Sequence, residues 1–301
     1  MKLMGNFVLF TASGAVLLVI GLFAVLMSLP DVTQLEKCMT TSMYQVRLCP
    51  DGAQYVRLKQ ISPYVIHAVI AAEDGSFYSH QGFDWHEIQA SLTTNLRSGK
   101  LRRGGSTLTQ QLAKNVFLDK EKSFWRKLKE AYLAYAIESK YKKDVILEKY
   151  LNVVEFGPKI FGVKAASLHY FQKSPSELNP LEGAYLAFLL PNPKTYSRTY
   201  SKGELTPFAR KMVAIILKRM ASFGKLSPPA YQTAMANMNG FPWRHLSFDS
   251  FSGSPSYSLE ASAPSGGFDE SIDEEALEEI IEESDFVDPN AASGTPESAP
   301  E

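Results

Sequence analysis

The chain has 301 residues, with 31 Lys and Arg against 32 Asp and Glu, which is enough for one sizeable core with segments left over. Residues 246–301 contain 15 of the acidic residues and no Lys or Arg, so residues 1–245 carry 17 acidic and 31 basic residues, a net charge of +14. This basic body favours anionic partners such as phosphates and acidic lipid headgroups. No nucleic-acid-binding motif is visible, and we do not expect a nucleic-acid partner.

An apolar segment near the amino terminus is long enough to cross a bilayer. Residues 7–29 are 23 uncharged, mostly apolar positions, and about 20 such residues span the hydrocarbon core as a helix. The segment ends in Met-Ser-Leu-Pro rather than at a small-x-small cleavage site, which favours a retained anchor over a cleaved signal peptide. We expect residues 1–6 to be cytoplasmic and the rest of the chain to lie on the outer side of the membrane.

Residues 30–60 are predicted to form a linker that contains a hairpin. Apolar residues alternate from Tyr44 to Leu58 around the turn-forming sequence Pro-Asp-Gly at residues 50–52. The chain's two cysteines, Cys38 and Cys49, fall in this linker. In an oxidising compartment they could close a short loop, worth roughly 3 kcal/mol. Two free thiols are the alternative, because sequence does not show their separation.

Residues 61–245 are predicted to form one mainly α domain, because capping residues mark a series of helix starts. The predicted N-caps are Ser62, Asp84, Thr107, Ser123, Asp144, Asn179, Thr206 and Ser227. No alternation of strands and helices is visible, which argues against a parallel sheet.

The acidic tail, residues 246–301, is rich in Ser, Pro and Gly and is predicted to be disordered. Residues 270–286 (ESIDEEALEEIIEESDF) differ from the rest of the tail, because their apolar residues recur at helical spacing. The segment is either part of a solvated tail or a helix that binds a basic surface, on a partner or on this protein itself.

Glu73 is the candidate general base. It ends an apolar stretch that is predicted to be helical, beside Asp74. Apolar surroundings, the negative end of a helix and a neighbouring carboxylate should all raise the pKa of its carboxyl toward neutrality. The alternative is a carboxylate that only caps the helix end. We interpret Phe77 and His80 as packing residues.

A strongly basic region follows, with ten Lys or Arg and two acidic residues between Arg97 and Lys129. Arg126, Lys129 and Glu130 share one face of a predicted helix, and Lys122 precedes it. Cations around a carboxylate suit a diphosphate or a metal-bridged phosphate. A solvated basic face is the alternative. Aromatic residues interrupt the run, as in a surface that dips into an anionic membrane, although core packing would explain about half of them.

Five blocks taken in order resemble the family 51 peptidoglycan glycosyltransferases. They are EDGSFYSHQG (73–82), GGSTLTQQLAKN (104–115), RKLKE (126–130), ILEKYLN (146–152) and FGVKAASLHYF (161–171). The resemblance implies a lysozyme-like helical catalytic lobe with a smaller, membrane-dipping lobe. It implies a bacterial inner-membrane protein whose catalytic domain faces the periplasm and polymerises lipid II onto a growing lipid-linked glycan.

The resemblance also assigns roles to individual residues. Glu73 would be the general base, and Glu130 a second catalytic carboxylate that orients cations or holds a divalent metal such as magnesium or manganese. The residues implied in substrate binding are Asp74, Phe77, Gly105, Ser106, Thr107, Gln110, Gln111, Lys114, Lys122, Arg126 and Lys129. Lys122 stands where the family often has Arg, which would lose a bidentate phosphate contact there.

Several alternatives differ from this interpretation. A lytic transglycosylase or muramidase would use Glu73 as an acid on finished glycan, yet it needs no diphosphate-binding cations. A catalytically silent scaffold would use the acidic tail to recruit other cell-wall synthesis or division proteins. The region after Tyr196 has one Ser-x-x-Lys match, at Ser222 and Lys225, but no Lys-Thr-Gly, so the combined signatures of a transpeptidase are missing and we predict a monofunctional glycosyltransferase.

Overall fold

The computed structural model describes residue 21 and residues 29–98, 105–121 and 123–251. Nearly all of the predicted anchor lies outside the described residues, as do Gly104, Lys122 and the acidic segment 270–286. None of the helices within the described residues combines the length and apolar character that a bilayer crossing requires.

The described residues are mainly helical, which confirms the mainly α part of the predicted fold class. The helices are α1 Pro63–Glu73, α2 Trp85–Ser98, α3 Leu108–Phe117, α4 Phe124–Lys140, α5 Lys143–Val153, α6 Val163–Phe171, α7 Pro180–Leu189, α8 Pro193–Tyr196, α9 Arg198–Lys202, α10 Pro207–Ser222 and α11 Pro228–Ala236. Short 3-10 helices occupy Val32–Glu36, Leu58–Gln60, Pro175–Glu177, Met238–Gly240 and Phe248–Ser250. Two antiparallel two-stranded sheets pair β1 Met39–Thr40 with β2 Arg47–Leu48, and β3 Glu155–Gly157 with β4 Ile160–Phe161.

Most of the predicted helix starts are confirmed, because the capping side chains accept hydrogen bonds from backbone N–H groups of the first helical turn. The confirmed caps are Ser62, Asp84, Thr107, Ser123, Asn179, Thr206 and Ser227. The prediction was wrong at Asp144, because the N-cap of α5 is Lys142 and Asp144 lies in the first helical turn. A carboxylate there still interacts favourably with the positive end of the helix dipole.

The centre of the core is α7, in which every residue is buried. It packs against α1 on one side and α10 on another. Gly183 allows the closest part of this contact, because a Cβ at that position would lie 2.9 Å from the carbonyl oxygen of Tyr64. The result is that α1 is held rigidly along its length and delivers Glu73 at its carboxyl end.

The amino-terminal hairpin forms earlier in the chain than predicted. Its strands are Met39–Thr40 and Arg47–Leu48, so the predicted Pro-Asp-Gly turn at 50–52 follows the second strand. A disulfide joins Cys38 to Cys49 at the base of the hairpin. The backbone N–H of Ser42, in the hairpin turn, donates to the carbonyl of Val116 at 2.8 Å. The hairpin therefore packs against the carboxyl end of α3.

The folded body extends beyond residue 245, where the tail was predicted to begin. The carbonyl of Leu246 accepts a hydrogen bond from Lys173 Nζ at 2.6 Å. The side chain of Phe251 is fully buried, and its carbonyl lies 3.5 Å from the hydroxyl of Tyr64. The boundary between body and tail is therefore no earlier than Phe251.

Candidate active site

Glu73 is positioned by side chains from two other helices. Gln111, on α3, donates from Nε2 to Glu73 Oε2 at 2.7 Å. The hydroxyl of Tyr150, on α5, donates to Gln111 Oε1 at 3.1 Å. Because α3 packs against α5, this hydrogen-bond chain holds the carboxylate in one orientation.

The electrostatic environment makes Glu73 a suitable proton acceptor. Burial raises the pKa of its carboxyl, and the neighbouring charge of Asp74 raises it further. The hydrogen bond from Gln111 and the charge of Lys114 act in the opposite direction without cancelling the rise. The raised pKa was predicted from the sequence, and it brings the carboxyl closer to the pH at which a general base works best.

Asp74 has a structural role in the fold, and its predicted role in substrate binding stays a prediction. Its Oδ1 lies 2.8 Å from His80 Nε2, and its Oδ2 accepts a hydrogen bond from the backbone N–H of Leu108 at 2.9 Å. Oδ2 thus joins the end of α1 to the start of α3, and Oδ1 holds the loop that follows α1. His80 was predicted to be only a packing residue, but it orients this carboxylate.

Lys114 interacts electrostatically with both candidate carboxylates, Glu73 and Glu130. It is half-buried on α3, one turn after Gln111. Burial lowers the pKa of its ammonium group, whereas the negative charges of Glu130 and Glu73 raise it and the positive charges of Lys127 and Arg126 lower it. A cation that interacts with both carboxylates places the predicted base and the predicted cation cluster in one site.

The cation cluster is built on the first two turns of α4. Glu130 is buried and accepts hydrogen bonds from Arg126 Nη1 at 3.2 Å and from Lys127 Nζ at 2.5 Å. Lys127 Nζ also donates to Ser106 Oγ at 3.0 Å, so it joins α4 to the loop before α3. A role in substrate binding was predicted for Lys129 but not for Lys127. In the described part of the chain, Glu130 pairs with Arg126 and Lys127 and not with Lys129.

Arg126 keeps one donor available. Its Nε is buried and has no hydrogen-bond partner among the described residues. A buried guanidinium N–H without a partner is costly, and a phosphate oxygen would satisfy it. This donor is the most direct indication of an anion site in the described part of the chain.

Three further residues predicted to bind substrate contribute to the fold instead. Thr107 and Gln110 are buried and form the capping box of α3, and Thr107 Oγ1 also donates to the carbonyl of Gly82 at 2.8 Å. Phe77 is fully buried, with Lys143 Nζ 4.5 Å from its ring centroid. These side chains support the site and expose almost none of their surface, and their predicted role in substrate binding stays a prediction.

Gly105 and Ser106, by contrast, border the cluster. Both are half-buried. A Cβ on Gly105 would contact Ile88 at 3.4 Å, so this loop packs closely against α2. Ser106 is the described hydroxyl that contacts Lys127, which places it at the edge of the anion site.

Comparison with known proteins agrees with this geometry. The family model described as Transglycosylase matches residues 42–221, which include every helix from α1 to α9 and most of α10. The chain belongs to the transglycosylase family of peptidoglycan glycosyltransferases.

The relatives of this transglycosylase carry a matching description. A "Biosynthetic peptidoglycan transglycosylase" from Azoarcus is 49% identical over 174 residues, covering 57% of this chain and 74% of the relative. Proteins of the same name from Nitrosospira multiformis and Dechloromonas aromatica are 44% and 45% identical, covering 56% of this chain and 72% and 71% of the relatives. The enzyme class predicted from the sequence, a peptidoglycan glycosyltransferase, is confirmed.

The described residues of the transglycosylase do not by themselves fit a resident divalent cation. Both oxygens of Glu130 are engaged by Arg126 and Lys127, and cations surround it. The described residues also contain no group of three or more His, Cys, Asp or Glu that could hold a metal. A divalent cation at Glu130 therefore stays a prediction, and it would need oxygen ligands from a bound phosphate.

Exposed aromatic residues flank the cationic end of the transglycosylase site. Trp85, at the start of α2, is 73% exposed, and Phe124 and Trp125, at the start of α4, are 73% and 52% exposed. The two helices that carry these aromatic residues contact the same loop, since Gly105 packs on Ile88 of α2 and Ser106 accepts a hydrogen bond from Lys127 of α4. Large exposed aromatic side chains beside Lys and Arg are typical of a surface that enters a membrane interface.

Proposed function

We propose that this enzyme polymerises lipid II into β-1,4-linked glycan strands and releases undecaprenyl diphosphate. One observation supports the proposal most strongly: Glu73, a carboxyl with a raised pKa, shares a site with the cations that surround the buried Glu130, and Lys114 interacts electrostatically with both carboxylates. The carboxylate of Glu73 can remove a proton from an alcohol, and the cations can stabilise a diphosphate leaving group.

In the proposed reaction, Glu73 takes the proton of the 4-hydroxyl of the acceptor GlcNAc. The resulting oxygen bonds to the anomeric carbon of the MurNAc on the growing chain, and the bond from that carbon to the diphosphate oxygen breaks. The electron pair leaves with undecaprenyl diphosphate, and the proton stays on Glu73 until it is lost to solvent. Attack from the face opposite the leaving group converts the α-diphosphate into a β-glycoside.

Arg126, Lys127 and Lys114 are proposed to bind the diphosphate. A diphosphate leaves as an anion, so nearby cations lower the barrier more than a strong acid would. The unpaired N–H of Arg126 offers one direct contact. Glu130 fixes the directions of Arg126 and Lys127 through its two oxygens.

The membrane location is proposed on separate grounds. The apolar segment 7–29 is long enough for an anchor, and Trp85, Phe124 and Trp125 would bring the site to the lipid headgroups that carry the substrate. The Cys38–Cys49 disulfide suits the oxidising outer side of a bacterial inner membrane.

The test is incubation of the full chain with purified lipid II in detergent, followed by analysis of product length. We expect longer lipid-linked glycan from the wild type and none from Glu73→Gln. Glu204→Gln, an exposed carboxylate, is the matched control and should be fully active. An enzyme that leaves lipid II unchanged but degrades finished glycan would instead be lytic. Full activity of Glu73→Gln, with unchanged circular dichroism, would remove Glu73 from the role of base.

Adding a chelator to the same assay tests the predicted divalent cation. Loss of polymerisation that magnesium or manganese restores would support a metal-bridged diphosphate. Unchanged activity would show that the Lys and Arg side chains neutralise the leaving group without one.

A further inference from the structure

A shallow groove remote in sequence from the active-site blocks lies between α10 and α11. Its floor is apolar and is formed by Pro207, Ala214, Met235 and Met238. Met235 is 37% exposed, one of the most exposed large apolar side chains in the described residues. The catalytic proposal uses none of these residues.

One side of the groove is basic. Arg210 and Lys211 line it, and Lys218 is exposed two turns further along α10. At 3.6 residues per turn these three residues share one face of the helix. The buried residues of α10, among them Ile216 and Met220, lie on the other side of the helix from Lys211 and Lys218, and Arg210 lies at the border. Neither α10 nor α11 contains an acidic residue.

The acidic segment 270–286 has the complementary pattern. It contains nine acidic residues and no Lys or Arg. Its apolar residues fall at helical spacing and would form one broad stripe over about half of the helix surface, with six of the nine acidic residues on the other half. The members of that stripe are Ile272, Ala276, Leu277, Ile280 and Ile281. An apolar stripe with acidic borders matches an apolar floor with a basic border in both shape and charge.

The segment also lies within reach of the groove. The described residues end at Phe251, whose carbonyl contacts Tyr64 near the start of α1, and α1 packs against α10. Eighteen residues, rich in Ser, Gly and Pro, separate Phe251 from residue 270. A flexible linker of that length has a root-mean-square span of about 25 Å, and such linkers give effective concentrations on the order of millimolar.

We infer that residues 270–286 bind as an amphipathic helix in the α10–α11 groove of the same chain. The apolar stripe covers Ala214, Met235 and Met238, and the acidic residues face Arg210, Lys211 and Lys218. The contact keeps a strongly acidic segment away from Arg126 and Lys127, where it would compete with the diphosphate for the same cations.

Hydrogen exchange of the full chain in detergent tests this contact without reference to activity. In the wild type we expect slowed exchange of amides in 270–286 and in α10 and α11. Arg210→Glu with Lys218→Glu should reduce the protection of 270–286 about tenfold or more. The matched control is Lys37→Glu with Lys59→Glu, two exposed lysines of the amino-terminal segment, and it should keep the protection.

A second variant separates groove binding from general charge attraction. Leu277→Asp with Ile281→Asp makes the segment more acidic but removes its apolar stripe, and it should lose protection as well. The inference is overturned if the wild-type segment exchanges freely or if Arg210→Glu with Lys218→Glu leaves its protection unchanged. Protection that disappears on dilution would assign the contact to two chains, and protection lost only in Arg126→Glu would assign it to the active site. Either result also overturns it.

Discussion

Gln111 Nε2 lies 2.7 Å from Glu73 Oε2 and acts as the hydrogen-bond donor, while the hydroxyl of Tyr150 donates to the other end of the same amide. The carboxylate of Glu73 fixes which end of the amide faces it, because only the NH2 end can donate to a carboxylate, and the Tyr150 hydroxyl then donates to Oε1. The contact leaves Oε1 of Glu73 outside this hydrogen bond. We assign that oxygen to the substrate hydroxyl.

This relationship predicts a change in the pH profile when Gln111 is replaced. The hydrogen bond from Gln111 lowers the pKa of Glu73, so Gln111→Ala should raise that pKa further. Since the base acts when deprotonated, the acid limb of kcat should move to higher pH, and the rate at neutral pH should fall roughly 10- to 100-fold. Tyr150→Phe keeps the donor to Glu73 and should shift the limb less. An unshifted limb in Gln111→Ala would mean that Gln111 does not tune the base.

The raised pKa of Glu73 also predicts an effect on stability. The folded protein binds this proton more tightly than the unfolded chain does, so between the two pKa values the free energy of unfolding falls as pH rises. Glu73→Gln removes the ionisable group. Its melting temperature should therefore exceed that of the wild type at pH 8 and approach it at pH 4, with about 2–4 °C for each kcal/mol. Calorimetry at both pH values measures this, and a lower melting temperature at pH 8 would contradict it.

Alanine substitutions of Lys127 and Lys129 are predicted to reduce activity to different extents, although the two lysines are only two residues apart. Lys127 contacts both Glu130 and Ser106, whereas Lys129 is in neither ion pair of Glu130. Lys127→Ala should therefore reduce kcat/KM for lipid II at least tenfold, and Lys129→Ala clearly less. Lys127→Arg keeps the charge and is expected to recover part of the loss. Equal losses from the two alanine variants would show that only total charge matters.

The choice between these lysines shows where sequence reasoning succeeded and where it failed. The face of the helix was recognised because Arg126 and Glu130 are four residues apart. Counting from Arg126 selects positions 129 and 130. Counting back from Glu130, which is the buried residue that organises the cluster, selects 126 and 127. The i, i+3 and i, i+4 spacings can be counted in the sequence. The burial of Glu130, which shows that the count must start there, cannot be predicted from the sequence.

The same distinction holds elsewhere in the fold: contacts within one helical turn could be predicted from the sequence, and contacts between distant residues could not. The N-caps could be predicted because a capping side chain bonds within its own helical turn. The contact of Asp74 with the backbone of Leu108 spans 34 residues, and no local pattern indicates it. The burial of Phe251 was missed because the surrounding composition resembles that of the tail, while its binding site on α1 lies 187 residues earlier.

The exposed aromatic residues predict a specific pattern of fluorescence quenching. The chain has three tryptophans. Trp85 and Trp125 are exposed, and Trp243 is fully buried and donates from its indole nitrogen to the backbone. In proteoliposomes, brominated lipids should quench the wild-type emission. Trp85→Phe with Trp125→Phe leaves Trp243 as an internal control, and its emission should be nearly unaffected. Quenching of the wild type by aqueous acrylamide, with none by brominated lipid, would place this surface in water.

The position of Phe251 predicts where the chain can be shortened. Its side chain is fully buried against a core that includes Tyr64, and replacing a buried Phe with Ala costs about 3–5 kcal/mol. Deleting residues 252–301 should keep both the fold and polymerisation of lipid II in detergent, because no described contact is removed. Deleting residues 247–301 should lower the free energy of unfolding by a similar 3–5 kcal/mol or more, since Phe248 and Phe251 leave the core. Urea titration of both truncations and of Phe251→Ala compares them, and equal midpoints for all three would show that the last turn does not stabilise α1.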